Sequence, residues 1–379
     1  RCILADTSLA VAREPAAGPR EDLRSVSMSA SLDATTLADR LGTDAIVRAE
    51  GRTHPVTTTD RPPAPGRRVE EEVPDAVIDT LGRSEGDILV FLAGAGDINR
   101  AQRGLGGRLP KHVVVTPLHG SLPPEEQDRA LRPDPAGRRK VILSTPIAET
   151  SVTIDGVRVV IDTGRRRRPE IDHGRGMSRL RTVSASRAST DQRRGRAGRQ
   201  APGQCIRLWP EADQARRRAD DTPEILTADL TGLALQLAVW GAHDAEELPW
   251  LDPPPEVALS AGRGVLTALG ALDDNRRLTD HGRRMAEIGT EPRLAHLMIA
   301  GAGLGLGATA CDLAAVLADR DLLRGRDRPV DLRERLDALA GRVEASVDEA
   351  ARGRARETAR RWRRELGVDS DDRTDAERV

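Results

Sequence analysis

Between residues 75 and 209 short β-branched runs alternate with polar, helix-like stretches. Asp87-Ile88-Leu89-Val90-Phe91-Leu92 is an apolar run that ends in a glycine turn, Ala93-Gly94-Ala95-Gly96-Asp97, before a helix. Val113-Val114-Val115, Val141-Ile142-Leu143 and residues 157–161 repeat the theme, each followed by polar residues or glycine. Such runs suit strands buried on both faces, and the alternation predicts a doubly wound parallel sheet. Ligands of these sheets sit at the carboxyl ends of the strands, where Gly94, Thr116, Thr145 and Asp162 fall.

The flanking regions follow other periods. Residues 1–50 read as the end of an α/β domain, with a helix over 2–12, a strand over 23–29 and a helix over 34–41. Arg61-Pro62-Pro63-Ala64-Pro65-Gly66 is a linker by its proline content. Leu226, Leu230, Leu233, Leu237 and Trp240 keep the spacing of an amphipathic helix, and Pro254-Pro255 starts another. A turn at Asp273-Asp274-Asn275, a short strand over 276–279 and a helix capped by Thr279 complete the order of a winged-helix module. Residues 291–340 are alanine- and leucine-rich helices, 342–366 a charged helix, and 369–379 an acidic, loose end. The expected domains are therefore 1–50, 51–210, 211–288 and 289–366, with a tail over 367–379; no internal repeat is found.

Net charge is −1, but it is unevenly spread. From Arg165 to Arg207 thirteen arginines face only Glu170, Asp172 and Asp191, which marks an anion-binding surface. Lysine occurs only at Lys111 and Lys140. With no tyrosine and Phe91 as the only phenylalanine, stacking of bases on aromatic platforms is excluded as a main binding mode. Cys2, Cys205 and Cys311 fit no zinc or disulfide spacing, so no metal site is expected and a reducing, cytoplasmic setting is. No apolar run reaches membrane-spanning length and no signal peptide is recognisable.

The sharpest chemistry lies in Gln192-Arg193-Arg194-Gly195-Arg196-Ala197-Gly198-Arg199. On a helix Arg196 and Arg199 share a face, and two planar guanidinium forks suit a polyphosphate. A solvated basic helix is the plain alternative; the two glycines, costly in a helix, speak for close backbone approach instead. Upstream, Lys140 to Gly156 is a strand entering a hydroxyl-rich loop, which suits phosphates or an ordinary capped turn.

Together these stretches resemble the DEAH-box subgroup of superfamily 2 RNA helicases, most closely its bacterial HrpB type, over about residues 1–320. Ser29-Ala30-Ser31 resembles motif III, residues 91–98 motif IV, and Pro117-Leu118-His119-Gly120-Ser121-Leu122 the next block. Residues 144–155 resemble motif V, and 192–199 match motif VI in full. The resemblance implies a RecA-like domain preceded by the remnant of another and followed by winged-helix and helical domains. It implies ATP and Mg²⁺ as cofactors, held mainly by a part upstream of this chain, and single-stranded RNA as a sequence-nonspecific partner. Arg196 and Arg199 would be arginine fingers and Gln192 would order the attacking water or the γ-phosphate. Asp155 would contact the nucleotide and Leu131 would form an apolar shelf for its base, where eukaryotic relatives use an aromatic. Thr145, Gly120 and Ser121 would hold RNA phosphates, Ser29 and Ser31 would couple the two activities, and residues 165–182 would form a strand-parting hairpin. Pro146 stands where motif V usually has asparagine, losing an amide and a backbone N–H.

No Gly-x-x-x-x-Gly-Lys-Ser/Thr and no Asp-Glu-x-His occurs. The expectation is thus a piece of an ATP-dependent RNA helicase, inactive as an ATPase alone. A non-catalytic RNA-binding module and a DNA helicase relative are the alternatives.

Overall fold

The structure, a computed structural model, describes residues 2–16, 20, 22–28, 34–48, 54–149, 154–172, 177–242, 244–325, 328–343 and 346–368. Ser29 and Ser31 lie outside the described residues. In chain order the elements are α1 (Ile3–Ala16), α2 (Ala34–Leu41), β1 (Val56–Asp60), α3 (Val73–Leu81), β2 (Asp87–Phe91), α4 (Ala95–Leu105) and β3 (Val113–Leu118). Next come α5 (Pro124–Leu131), β4 (Arg139–Ser144), β5 (Val157–Asp162), β6 (Arg165–Asp172), β7 (Met177–Ser184), α6 (Arg187–Gly195), β8 (Gly203–Arg207) and α7 (Glu211–Arg216). The helices α8 (Thr231–Trp240), α9 (Glu256–Ala268), α10 (Asp280–Ile288), α11 (Pro292–Gly303), α12 (Gly307–Ala318), α13 (Leu332–Ala340) and α14 (Glu349–Leu366) finish the chain. One unit holds α2 to α7 with β1 to β8; the other holds α1 and α8 to α14.

In the first unit, six described strands form a sheet in the order β1-β8-β5-β2-β4-β3, every pairing parallel. Successive side chains point to opposite faces, so each apolar run feeds both cores. Ile88, Val90, Val141, Leu143, Val159 and Ile161 pack under α3 and α4 residues such as Val77 and Ile98. Leu89, Phe91, Ile142 and Val160 pack with Leu118, Ala130, Ala197 and Cys205 on the other side. The expected runs are strands, as read. β1, with three consecutive threonines, had no apolar run to announce it; as an edge strand on β8 it needs none. The strand expected at 23–29 is not formed: residues 23–28 are irregular, and Val26 and Met28 are exposed, because no described strand pairs with them. β6 and β7 form a separate antiparallel hairpin, from Arg165 opposite Ser184 to Asp172 opposite Met177.

From residue 222 onward the expected helical order is kept with three changes. Leu226 is in a 3-10 turn rather than in the amphipathic helix, which starts at Thr231, where Asp229 Oδ1 accepts the Thr231 N–H at 2.7 Å. The strand expected at 276–279 is reduced to one bridge, Leu272 to Leu278, across a turn in which Asp273 Oδ1 accepts the Asn275 and Arg277 N–H groups. The Thr279 cap is present, its hydroxyl accepting the Gly282 N–H at 3.0 Å. The charged helix begins at Glu349, not at 342, because Asp348 caps it and Val347 bridges to Leu323. Ala351, Ala355, Ala359 and Trp362 face its core.

Candidate functional site

The arginine stretch is not one helix. Ser186 caps α6 by accepting the Ser189 N–H at 3.1 Å, and α6 runs to Gly195. Arg196–Gly198 then tightens into a 3-10 turn. As a result Arg193 and Arg196 are buried while Arg199 is exposed, so Arg196 and Arg199 do not share an environment as helical spacing predicted.

Arg193 is fully buried. Its Nε donates to Glu149 Oε2 and its Nη1 to Asp162 Oδ1, both at 2.9 Å, and the guanidinium lies 5.1 Å from the centroid of Phe91. Burial opposes its charge, but Asp162 and Glu149 outweigh that and hold its pKa above the ordinary arginine value. Arg196 donates Nε to the Glu149 carbonyl at 3.0 Å, with Nη2 on the same oxygen. Burial, and then the neighbouring Arg199, lower its pKa to about 10, so it remains a cation at neutral pH. Ser189 Oγ donates to Glu149 Oε2 at 2.8 Å.

Both glycines of the motif were expected to permit close approach; only Gly198 does. A Cβ there would lie 2.6 Å from the His54 carbonyl oxygen and 2.7 Å from Val56 Cγ2, whereas at Gly195 it would meet nothing within 4 Å. The Gly198 carbonyl accepts the His54 N–H at 2.9 Å, which pins the turn to the start of β1. Gly198→Ala is expected to destabilise the first unit by about 1–3 kcal/mol through overpacking, and Gly195→Ala to change little; thermal melts of the two variants compare them directly.

The topology separates the expected residues into two groups. Asp155 and Gly156 immediately precede β5, so they lie at the amino ends of the strands, as does Gly198. There Gln200 donates to Asp155 Oδ1 at 2.7 Å and accepts the Gly156 N–H at 2.9 Å. Thr145 follows β4, and Gly120 and Ser121 follow β3, so these lie at the carboxyl ends. The Thr145 N–H donates to the Leu118 carbonyl at 3.1 Å, and Ser121 Oγ lies 2.6 Å from His119 Nδ1. A cavity of about 1520 Å³ also opens at that end, lined by Arg166, Arg167, Arg217, Arg218, Thr163 and Trp209 among others. Arg217 braces it, 4.1 Å from the Trp209 ring and donating to the Gly164 and Ala185 carbonyls at 2.9 Å.

Comparison with known proteins accounts for this arrangement. The helicase conserved C-terminal domain family matches residues 72–201, and the winged-helix helicase-associated domain (HA2) matches 265–289. The chain is 37% identical to the ATP-dependent RNA helicase HrpB of Escherichia coli over 92% of its own length and 44% of that protein. The crystal structure of E. coli DEAH/RHA helicase HrpB superposes with a TM-score of 0.86, covering 98% of this chain and 45% of that one. The chain thus carries the helicase conserved C-terminal domain and is similar to the HrpB-type DEAH-box helicases over nearly its whole length. The pre-mRNA-splicing factor ATP-dependent RNA helicase prp22 of Schizosaccharomyces pombe is also similar, 36% identical over 79% of this chain and 26% of its own. The chain thus spans less than half the length of these curated relatives. Its architecture is a RecA-like sheet domain, then winged-helix and helical regions.

Other details of this chain were not legible beforehand. Pro146 is the first residue of a 3-10 turn with Thr145 as its N-cap, a position where the backbone N–H has no partner within the turn, so proline loses nothing from the backbone there. Leu131 ends α5 and packs half-buried against the sheet core; Lys140 Nζ holds that end, donating to the Ala130 carbonyl at 2.9 Å and the Arg132 carbonyl at 2.6 Å. Gln192 is half-buried on α6. Sequence reasoning missed Arg193 and Glu149, and it placed Asp162 at a ligand-facing strand end where the structure makes it the buried partner of Arg193. Arg193 sat in plain view among identical neighbours, and nothing local distinguishes a buried guanidinium from an exposed one.

Proposed function

We propose that the protein acts as part of an ATP-dependent RNA helicase. In this reading the first unit supplies Arg196 and Arg199 to the phosphates of ATP held by a facing domain, together with Mg²⁺. Gln192 orders the attacking water or the γ-phosphate, and Asp155 and Leu131 attend the nucleotide. The observation that carries the proposal is the turn after α6: it sets a buried, still-charged Arg196 and an exposed Arg199 three residues apart, beyond a fully buried Arg193. Two guanidinium groups so held can neutralise charge that develops on a transferring phosphoryl group.

RNA is taken at the carboxyl ends of the strands, where Thr145, Gly120 and Ser121 offer hydroxyl and backbone donors to phosphates. Such contacts position a strand without reading its sequence. The β6–β7 hairpin parts strands, and Ser29 and Ser31 couple nucleotide state to RNA grip. In this reading the domains run, in sequence, as the remnant over 1–50, the RecA-like domain to 210, the winged helix to 288 and the helical domain to 366. Free Cys2, Cys205 and Cys311 fit a reducing cytoplasm, and no helix among the described residues is long and apolar enough to cross a membrane.

Binding of labelled single-stranded homopolymer RNAs tests the reading. Affinity should be similar for the homopolymers and fall with salt, with a log–log slope of about −2 if arginines of the β6–β7 hairpin neutralise three phosphates, at roughly −0.7 each. Salt-independent binding, or strong preference for one homopolymer, would sink it.

A further inference from the structure

Glu149 receives three side chains from one face of the segment that carries the arginines. Ser189 Oγ and Arg193 Nε both reach its Oε2, at 2.8 and 2.9 Å, and Arg196 reaches its backbone oxygen with Nε at 3.0 Å and with Nη2. Positions 189, 193 and 196 are spaced four and three apart, the interval at which side chains stack along one helical stripe. The carboxylate is therefore a clamp on α6, and the carbonyl of the same residue is a bracket for the guanidinium just beyond it.

We propose that Glu149 is a positioning residue for Arg196, setting the orientation in which that arginine meets a phosphate; this rests on the reading of Arg196 as an arginine finger. An arginine side chain has several rotatable bonds and loses much freedom when held. Nε and Nη2 share one edge of the guanidinium, so two donors on one oxygen fix both the plane and the direction of the group. The oxygen can do this only if its own backbone is fixed. Arg193 and Ser189 supply that by gripping the carboxylate, and Arg193 is in turn anchored on Asp162 at the end of β5. Glu149 thereby ties the loop after β4 to the arginine turn: a displacement of that loop moves Arg196. Because Thr145 begins the same loop, a strand gripped there reaches the guanidinium through four residues of backbone.

Positioning acts on the rate at saturation more than on binding, because the aligned donor matters most where charge develops. In the ATP-hydrolysing protein that carries this chain, Glu149→Ala should lower kcat by about 10²-fold, the scale of a 1 Å misplacement, with KM for ATP nearly unchanged. Glu149→Gln keeps an oxygen for Ser189 and Arg193 and should recover most of the loss. In the chain as it stands, NMR of the Arg196 Nε–H should show hydrogen exchange at least several-fold faster in Glu149→Ala than in wild type, at temperatures where circular dichroism reports both folded. Ser189→Ala, which removes one of the two grips on the carboxylate, serves the same measurement should Glu149→Ala fail to fold. Arg196→Ala is run alongside. If it lowers kcat while Glu149→Ala, or Ser189→Ala in its place, leaves both kcat and Arg196 exchange at wild-type values, the positioning role is wrong and the finger reading stands. If Arg196→Ala has no effect on kcat, the finger reading fails, and unchanged exchange would then also overturn the clamp.

Discussion

Arg193→Ala is expected to destabilise the first unit by about 3–5 kcal/mol, the range for removing one partner of a buried ion pair. The effect is large because the loss is not the attraction alone. Asp162 is fully buried, Glu149 nearly so, and each would keep a charge with its principal partner gone. Asp162 would retain the Gly164 N–H at 2.8 Å and Glu149 the Ser189 hydroxyl, single hydrogen bonds in place of full counter-charges. A large side-chain volume over Phe91 would be emptied as well. Arg193→Lys should fall between wild type and alanine, because one ammonium cannot serve two carboxylates along a planar fork. Urea unfolding followed by tryptophan fluorescence measures it, Trp209 being buried in this unit. With a slope of roughly 2–3 kcal/mol per molar, the midpoint should drop by about 1–2 M. A shift worth less than about 1 kcal/mol would mean that the buried cluster does not hold the charges described.

Three residues on, Arg196→Ala should do the opposite: spare the fold and remove catalysis. Its guanidinium donates to the Glu149 backbone carbonyl, and stranding that acceptor at a half-buried loop costs about 1–3 kcal/mol. On the proposed reading of Arg196 as an arginine finger, kcat for RNA-stimulated ATP hydrolysis by a helicase containing this chain should fall by about 10³–10⁵. KM for ATP should change far less, because the interaction is strongest in the transition state. Arg196→Lys should recover little, since a point charge does not reproduce the fork. Steady-state kinetics decide it, and a fall in kcat of less than tenfold would remove Arg196 from the chemistry. Alanine at 193 and at 196 thus make a matched pair, one read by unfolding and the other by turnover.

The contrast shows how far the sequence reaches. Phe91, Val141 to Leu143 and residues 157–161 declared buried strands because nothing but a two-sided core tolerates such runs. Thr279 marked a helix start through local chemistry that holds whatever the surroundings. The arginine motif stood out by residue type, and Gly198 within it makes the close approach that glycine allows. Each of these is a property of a short stretch.

What the tertiary structure decided depends on partners far along the chain. β1 exists because residues 203–207 offer it an edge, whereas residues 23–28, with as good an alternation, have no described strand to pair with and stay irregular. Gly198 needs its missing side chain because the His54 carbonyl comes to it; Gly195, chemically the same, does not. Three arginines that look alike in the sequence become a buried structural ion, a buried bracketed cation and an exposed one. The difference lies in Glu149 and Asp162, more than thirty residues upstream, because the fate of a charge is set by which counter-charge the fold brings to it and how much water it removes.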